Sequence, residues 1–158
     1  MKEDKKGSIP KWYTILIAII GITALILQLW PSSVQTQRYT LAGEKIDVEV
    51  AATLEQQHKG LGGRETIGEA DAMLFPFAFK GKHGFVMRDM QFAIDIVWLN
   101  DGVVVDIAPN VQPEPFDVKE YELAVYVPRD VANAVLEFEA GWVKKHNLKI
   151  GDRLSLKE

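Results

Sequence analysis

The feature that most constrains this chain is an uncharged apolar run, WYTILIAIIGITALILQLW, from Trp12 to Trp30. In an α-helix such a run spans about 28 Å, close to the roughly 30 Å thickness of the hydrocarbon layer of a bilayer. Both ends carry aromatic residues, whose amphipathic rings favour the membrane–water interface. A buried core helix is the alternative, but core helices seldom stay apolar all round for this length. The run therefore predicts a transmembrane helix at residues 12–30.

Basic residues predict the orientation of this helix. Four lysines precede the run, whereas the first basic residue after it is Arg38. The positive-inside rule then leaves the N-terminus in the cytoplasm and the remainder of the chain outside. No small-x-small cleavage pattern follows the run, which favours an uncleaved signal anchor over a cleaved signal peptide. We expect a single-pass protein of the cell (inner) membrane whose C-terminal domain is periplasmic or extracellular.

The chain thus divides into four predicted segments. Residues 1–11 form a cytoplasmic N-terminus and residues 12–30 the signal anchor. Residues 31–43 form a polar stalk that begins with a helix-stopping proline, and residues 44–158 form a soluble β-rich domain. A domain of about 115 residues can bury a single core without disulfides or metals.

Short strands dominate the pattern of the predicted domain. Apolar Ile46, Val48 and Val50 alternate with charged residues, as in a strand with one solvated face. Asn100-Asp101-Gly102 carries the Asp-Gly signal of a hairpin turn. Strands are predicted at 44–50, 72–77, 84–87, 92–99, 103–107, 121–127, 135–138 and 153–156, and short helices at 54–61, 129–134 and 142–146. This order is typical of a mostly-β, α+β domain: a compact, partly closed barrel or rolled mixed sheet with two or three short helices.

Composition argues against several kinds of site. The chain has no cysteine, and its serines, at positions 8, 32, 33 and 155, lie outside the interior of the predicted domain. Its histidines, at positions 58, 83 and 146, lack the spacing of metal ligands. We therefore expect no metal site, no cofactor and no serine or cysteine nucleophile. After Gly43 the chain carries 13 Lys/Arg and 20 Asp/Glu, and this net charge of −7 argues against a nucleic-acid partner.

Five short blocks of the predicted domain resemble those of a known family. They are GLGGRE (60–65), AMLFPF (72–77), FVMRDMQFAIDI (85–96), VLEFEAG (135–141) and KIGD (149–152). In order and spacing they are similar to GLM-x-R, GMLF-x-F, WMKNT-x-IPLDI, LE-x-x-AG and K-x-GD of the domain of unknown function 192 family. The resemblance implies a compact β-rich domain, often exported or membrane-anchored, with no established activity.

The sequence follows this family pattern at some positions and departs from it at others. The matching residues include Arg64, Leu74, Phe75, Met87 and Asp95. The departures are Gly62 for Met, Val86 for Trp, Asp89 for Asn, Met90 for Thr and Ala93 for Pro. A role that depended on the Asn of WMKNT would not transfer, because Asp89 adds a charge.

Asp95 is the one charged residue in an otherwise apolar strand at 92–99. Both faces of this strand are largely apolar, so Asp95 is predicted to be buried, and a buried carboxylate needs donors. We predict that it accepts hydrogen bonds from a buried arginine, Arg64 or else Arg88, or from loop backbone N–H groups. The alternative is that Asp95 lines a cleft with one of these arginines and meets a ligand.

Two functions from different classes are compatible with the sequence. The first is a non-catalytic binding or interaction module for a small ligand or a peptide or protein partner, with candidate binding residues Arg64, Phe75, Met87, Arg88 and Asp95. The second is a hydrolase or lyase that acts on envelope polysaccharide, with Asp95 or Asp89 as acid or base. These two aspartates would lie about 20 Å apart on a straight strand, too far for a glycosidase pair. We therefore favour the binding module.

Overall fold

The computed structural model describes residues 10–29 and 34–156, in two compact units, Met1–Ser33 and Val34–Glu158. In the first unit the described residues form helix α1 (Lys11–Leu29). Within the described residues, no helix combines the length and the apolar character that a membrane crossing requires. Nearly all of the predicted cytoplasmic segment, residues 1–9, lies outside the described residues.

The second unit contains one curled seven-stranded sheet. Its elements are β1 (Gln35–Leu41), β2 (Glu44–Val50), α2 (Leu54–Lys59), β3 (Ala72–Gly81), β4 (Ile94–Asn100), β5 (Val103–Val111), a 3₁₀ turn (Glu120–Glu122), β6 (Ala132–Glu139), α3 (Trp142–Lys145) and β7 (Leu154–Leu156). The strand order is β5-β4-β6-β3-β2-β1-β7, antiparallel throughout except for the parallel pair β2–β3. The prediction of a mostly-β, α+β rolled mixed sheet is confirmed.

The two edge strands approach each other and partly close the sheet. The backbone N–H of Leu154 donates to the carbonyl of Gly102 at 2.7 Å, and that of Val104 donates to the carbonyl of Asp152 at 2.8 Å. A single bridge between Val103 and Arg153 lies beside them. These contacts join the β4–β5 hairpin to the turn before β7, so the sheet curls into a half-barrel.

The prediction of a polar stalk at 31–43 is wrong for residues 35–41. These residues form β1, which pairs with β2 along its whole length and also carries β7. The turn between β1 and β2 is Ala42-Gly43, both with positive φ, as in a type I′ hairpin. The strand was missed because QTQRYTL is mostly polar and only partly buried; Leu41, at its end, is its one fully buried residue.

Three further local predictions are corrected by the structure. Residues 84–87 and 121–127, predicted as strands, are loops that meet through one bridge, Phe85 to Tyr126. Residues 129–134, predicted as a helical turn, include the start of β6. Strand β3 continues through Pro76 to Gly81, because the ladder with β6 shifts register after Pro76 and so accommodates it.

The sheet buries both of its faces, and we name the faces by what covers them. The pocket face is covered by the loops at 60–70 and 84–92 and carries Met73, Phe75, Ile96, Trp98 and Val135. The helix face is covered by α3 and the segment after it and carries Leu74, Val97, Leu99, Leu136 and Phe138. Successive residues of β4 and β6 therefore point into two different buried clusters.

Candidate functional site

Asp95 is buried on the helix face, where backbone donors occupy both of its carboxylate oxygens. Oδ1 accepts a hydrogen bond from the N–H of Asn110 at 2.8 Å. Oδ2 accepts from the N–H groups of Gly141 at 3.0 Å and Val143 at 2.9 Å. Asp95 is 1% exposed, and its carboxylate holds the end of β5 and the first turn of α3 to β4. The prediction of backbone N–H donors is confirmed.

The predicted contact between Asp95 and Arg64 is wrong. Arg64 instead donates to Oε2 of Glu49 at 2.8 Å and to the carbonyl of Ile67 at 3.3 Å. Its loop packs on the pocket face through buried neighbours such as Leu61, whereas Asp95 points to the helix face. Arg88, the second predicted partner, forms its ion pair with Glu120.

A pocket of about 310 Å³ lies on the pocket face, next to two of the predicted site residues. Helix α2 and the turn after it form one side, and the loop at 84–90 forms the other. Helix α2 begins with a capping box in which Thr53 and Gln56 bond each other's backbone N–H groups, and it ends at Gly60, whose φ is +49°. These caps fix the position of the pocket rim.

The floor of the pocket contains an acid that the sequence interpretation did not single out, Glu137. Glu137 lies in β6 between Met73 of β3 and Ile96 of β4, and it is 5% exposed. Among the described residues, no group donates a hydrogen bond to its carboxyl and no cation pairs with it. Burial raises the pKa of Glu137 to about 8. At pH 7 the carboxyl is therefore mainly protonated and neutral.

Three phenylalanine rings form the wall next to this acid. Phe75 and Phe85 lie edge to face, with ring centroids 5.1 Å apart, and Phe77 meets Phe85 in the same manner at 6.4 Å. Phe77 also stacks on His83 with centroids 3.7 Å apart. Such edge-to-face arrangements stabilise aromatic clusters. The wall is therefore a fixed aromatic surface beside a neutral acid.

The rim of the pocket is polar. Arg88 donates from Nε to Glu120 at 2.8 Å and from a guanidinium nitrogen to the carbonyl of His58 at 3.1 Å, which ties the loop at 84–90 to the end of α2. Its hydrogen bonds to Glu120 raise the pKa of Arg88 and lower the pKa of Glu120. The rim also includes Gln57 and Lys59.

The structure brings together only some of the predicted site residues. Phe75 and Arg88 line the same pocket. Met87 is buried and borders a smaller pocket of about 140 Å³, together with Asp89. Arg64 and Asp95 line neither of these two pockets. The described residues contain no group of three or more His, Cys, Asp or Glu side chains arranged to hold a metal ion.

A family model described as "Uncharacterized ACR", DUF192, matches residues 36–156, well over half of the chain. The chain belongs to the DUF192 family. This membership agrees with the resemblance drawn from the five sequence blocks. The backbone conformation explains one departure from the family pattern, Asp89 in place of Asn. Asp89 lies in the left-handed region at φ +53°, which both Asn and Asp tolerate better than most residues.

Two solved structures share the fold of this DUF192 domain. One, from Sinorhizobium meliloti 1021, is a protein provisionally described as a transcription regulator; it is 28% identical, with a TM-score of 0.68, over 78% of this chain and 95% of the other. The other, from Novosphingobium aromaticivorans DSM 12444, is a protein of unknown function; it is 27% identical, with a TM-score of 0.67, over 80% of this chain and 89% of the other. Among curated proteins, none matches the chain.

Proposed function

We propose that this chain is a membrane-anchored, extracytoplasmic binding module that takes a small molecule in the pocket above Glu137. The observation that carries the proposal is the unpartnered carboxyl at the floor. The oxygens of this carboxyl are not sealed off from the pocket, so a ligand can supply the missing partner. A mainly apolar cleft with one or two polar groups is the usual form of a small-molecule site.

The alternative, a polysaccharide hydrolase or lyase that uses Asp95 or Asp89, has less support. Both oxygens of Asp95 already accept backbone hydrogen bonds, so neither is available to a substrate. Asp89 lines the 140 Å³ pocket with Glu114 and Glu120, and Glu120 is already paired with Arg88. Among the described residues that line the 310 Å³ pocket, Glu137 is the only one with a carboxyl side chain. Glycoside hydrolysis generally needs two carboxyl groups that flank one bond.

Support for the anchor comes from the N-terminal helix. Large apolar side chains are exposed all round α1, among them Ile15, Ile17, Ile19, Ile20 and Ile22. Exposed apolar surface of this extent is costly in water and favours burial in lipid. The lysines before the helix favour an extracytoplasmic domain.

Two variants on one strand test the pocket. The full chain, in nanodiscs of zwitterionic lipid, is titrated with a fragment set balanced among cations, anions and neutral molecules, and binding is followed by NMR. Phe77 lines the pocket, whereas Phe79, two residues later on β3, is 73% exposed and does not. We expect Phe77→Ala to weaken the best fragment about tenfold, since it removes a large part of the apolar wall. Phe79→Ala should bind like the wild type, and a wild-type protein that binds no fragment would contradict the proposed function.

The topology is tested separately in spheroplasts. Protease added outside should degrade the domain after residue 34 while a cytoplasmic marker protein stays intact. Detergent lysis, which exposes both, is the positive control. A domain that resists protease until lysis would contradict the extracytoplasmic location.

A further inference from the structure

We propose that the ligand is a small organic cation whose ammonium or guanidinium group pairs with the carboxyl of Glu137 at the floor of the pocket. The inference rests on the proposed binding function and adds the chemical class of the ligand. The pocket volume of about 310 Å³ corresponds to roughly ten water molecules at about 30 Å³ each. A ligand of similar size, with an apolar body and one cationic end, therefore fits.

The floor favours a donor with a positive charge. Glu137 is surrounded within the sheet by the buried side chains of Met73 and Ile96, and no described residue supplies it with a hydrogen bond. A neutral ligand can exchange one or two ordinary hydrogen bonds with this acid. An ammonium group gives it charge-assisted hydrogen bonds, which are about twice as strong. The protonated carboxyl could instead donate one hydrogen bond to an anion, which is why an anionic probe belongs in the test.

The wall favours the same class of ligand. Phe75, Phe77 and Phe85 line the same pocket as the acid. Where an aromatic face is turned to a cation it attracts that cation, most strongly where water is excluded. These rings also accept the apolar body of the ligand.

Three positively charged or titratable groups face the pocket from its rim, where a positive charge would oppose the binding of a cation. Arg88 is neutralised by its ion pair with Glu120. Lys59 is exposed at the end of α2, where solvent screens its charge, and His58 lies next to it. No further charged side chain lines the pocket from β3 or β6 among the described residues. The net charge of −7 after Gly43 also attracts cations to the domain.

Binding then has a defined proton balance. In the free protein the carboxyl of Glu137 carries its proton, because burial raises its pKa to about 8. Pairing with R–NH₃⁺ requires the carboxylate, so one proton leaves Glu137 for solvent as the ion pair forms. The affinity for a cation should therefore rise by nearly tenfold per pH unit below about pH 7.5 and level off above pH 8.

A matched set of three probes tests the inference: 2-phenylethylammonium, neutral 2-phenylethanol and anionic phenylacetate. They are titrated calorimetrically into the full chain in nanodiscs of zwitterionic lipid, between pH 5.5 and 8.5. The release of one proton is measured by repeating the titration in buffers of different ionisation enthalpy. The variant is Glu137→Gln, and the control is Glu139→Gln, two residues later on β6 and exposed.

We expect the wild type to bind the cation more tightly than the other two probes. Its affinity for the cation should rise with pH, and binding should release close to one proton. In Glu137→Gln the affinity for the cation should fall by about 10- to 100-fold and lose its pH dependence, the loss expected for a charge-assisted hydrogen bond. Glu139→Gln should match the wild type. Equal binding of 2-phenylethanol by the wild type and Glu137→Gln would show that the variant is folded and its pocket intact.

Other outcomes would overturn the inference. A preference for 2-phenylethanol or phenylacetate over the cation would overturn the ligand class and leave the proposed binding function standing. A pH dependence that persists in Glu137→Gln would show that the titrating group is not Glu137. Absence of binding by all three probes would also overturn the cation inference, whereas failure of the whole fragment set would overturn the binding function as well.

Discussion

Asp95 and Glu137 are buried carboxyl groups on adjacent central strands, one register position apart: Asp95 pairs with Phe138, and Ile96 pairs with Glu137. They point to opposite faces of the sheet. Asp95 accepts three backbone hydrogen bonds at 2.8–3.0 Å, whereas among the described residues nothing donates to Glu137. Equal burial therefore does not imply an equal role. The number of donors separates an acid that holds elements together from one that is available to a ligand.

The largest expected effect follows the removal of the carboxylate with three donors. Asp95→Ala removes the shared acceptor of the N–H groups of Asn110, Gly141 and Val143, of which that of Val143 is buried, so we expect the free energy of unfolding to fall by about 3–5 kcal/mol. Chemical denaturation of the full chain measures this loss. Asp117→Asn, at an exposed loop residue, is the control. A loss below 1 kcal/mol would remove the contrast between the two acids.

A double variant sharpens the same result. The sequence predicted an ion pair between Asp95 and Arg64. If that pair existed, a double variant without either charge would recover part of the stability that the single Asp95 variant loses. Since Arg64 contacts Glu49 instead, we expect the effects of Asp95→Ala and Arg64→Met to add within about 0.5 kcal/mol. A recovery larger than this would show that the two residues are coupled after all.

The second prediction concerns the pH dependence of stability through Glu137. Its folded pKa is raised to about 8 from 4.5, so the folded state keeps a proton that the unfolded state has released. Stability is therefore full below about pH 4.5, falls by at most about 1.4 kcal/mol per pH unit as pH rises, and levels off above pH 8. We expect Glu137→Gln to remove most of this decline, because its amide does not ionise. Parallel pH curves for the wild type and the variant would contradict the raised pKa.

The smallest effect is expected at a third buried acid, Asp106, whose charged partner is exposed. Oδ1 accepts from Nε of Arg129 at 2.9 Å, and Oδ2 accepts from the backbone N–H of Arg129 at 2.6 Å. Hydrogen bonds from the Arg129 side chain lower the pKa of Asp106. The stability they contribute is present above the ordinary pKa of the carboxyl and is lost as pH falls through the lowered value.

Arg129→Met tests this third case. We expect the variant to melt slightly below the wild type at pH 7, with a difference that shrinks as the pH falls below the ordinary pKa of the carboxyl. Arg153→Met is the control, since Arg153 forms no ion pair among the described residues. A difference of equal size at pH 7 and at acid pH would mean that Arg129 acts through packing and not through its charge.

The sequence predicted the local elements that carry strong patterns. The alternation at β2, the Asp-Gly turn between β4 and β5, and the short helices near 54–61 and 142–146 are all observed. Elements without an apolar pattern were missed or misassigned. Strand β1 is mostly polar and only partly buried, and its formation depends on neighbours on both sides, β2 and β7.

The candidate site was predicted less completely than the fold. Phe75, which matches the family pattern, and Arg88, named as a possible partner of Asp95, both line the pocket. Glu137 was overlooked although VLEFEAG places it between Leu136 and Phe138, as Asp95 is placed between Ile94 and Ile96. An acid flanked by apolar residues in a predicted strand is the signal that could have found it.

The sequence by itself determined the class of fold, the family and the burial of the strand that contains Asp95, because burial follows from the alternation of neighbouring side chains. Only the tertiary structure decided which buried acid has donors. The donors to Asp95 are backbone N–H groups 15, 46 and 48 residues away in the chain. Every non-proline residue carries such a group, so its position in space, and not its residue type, determines whether a carboxylate is bonded.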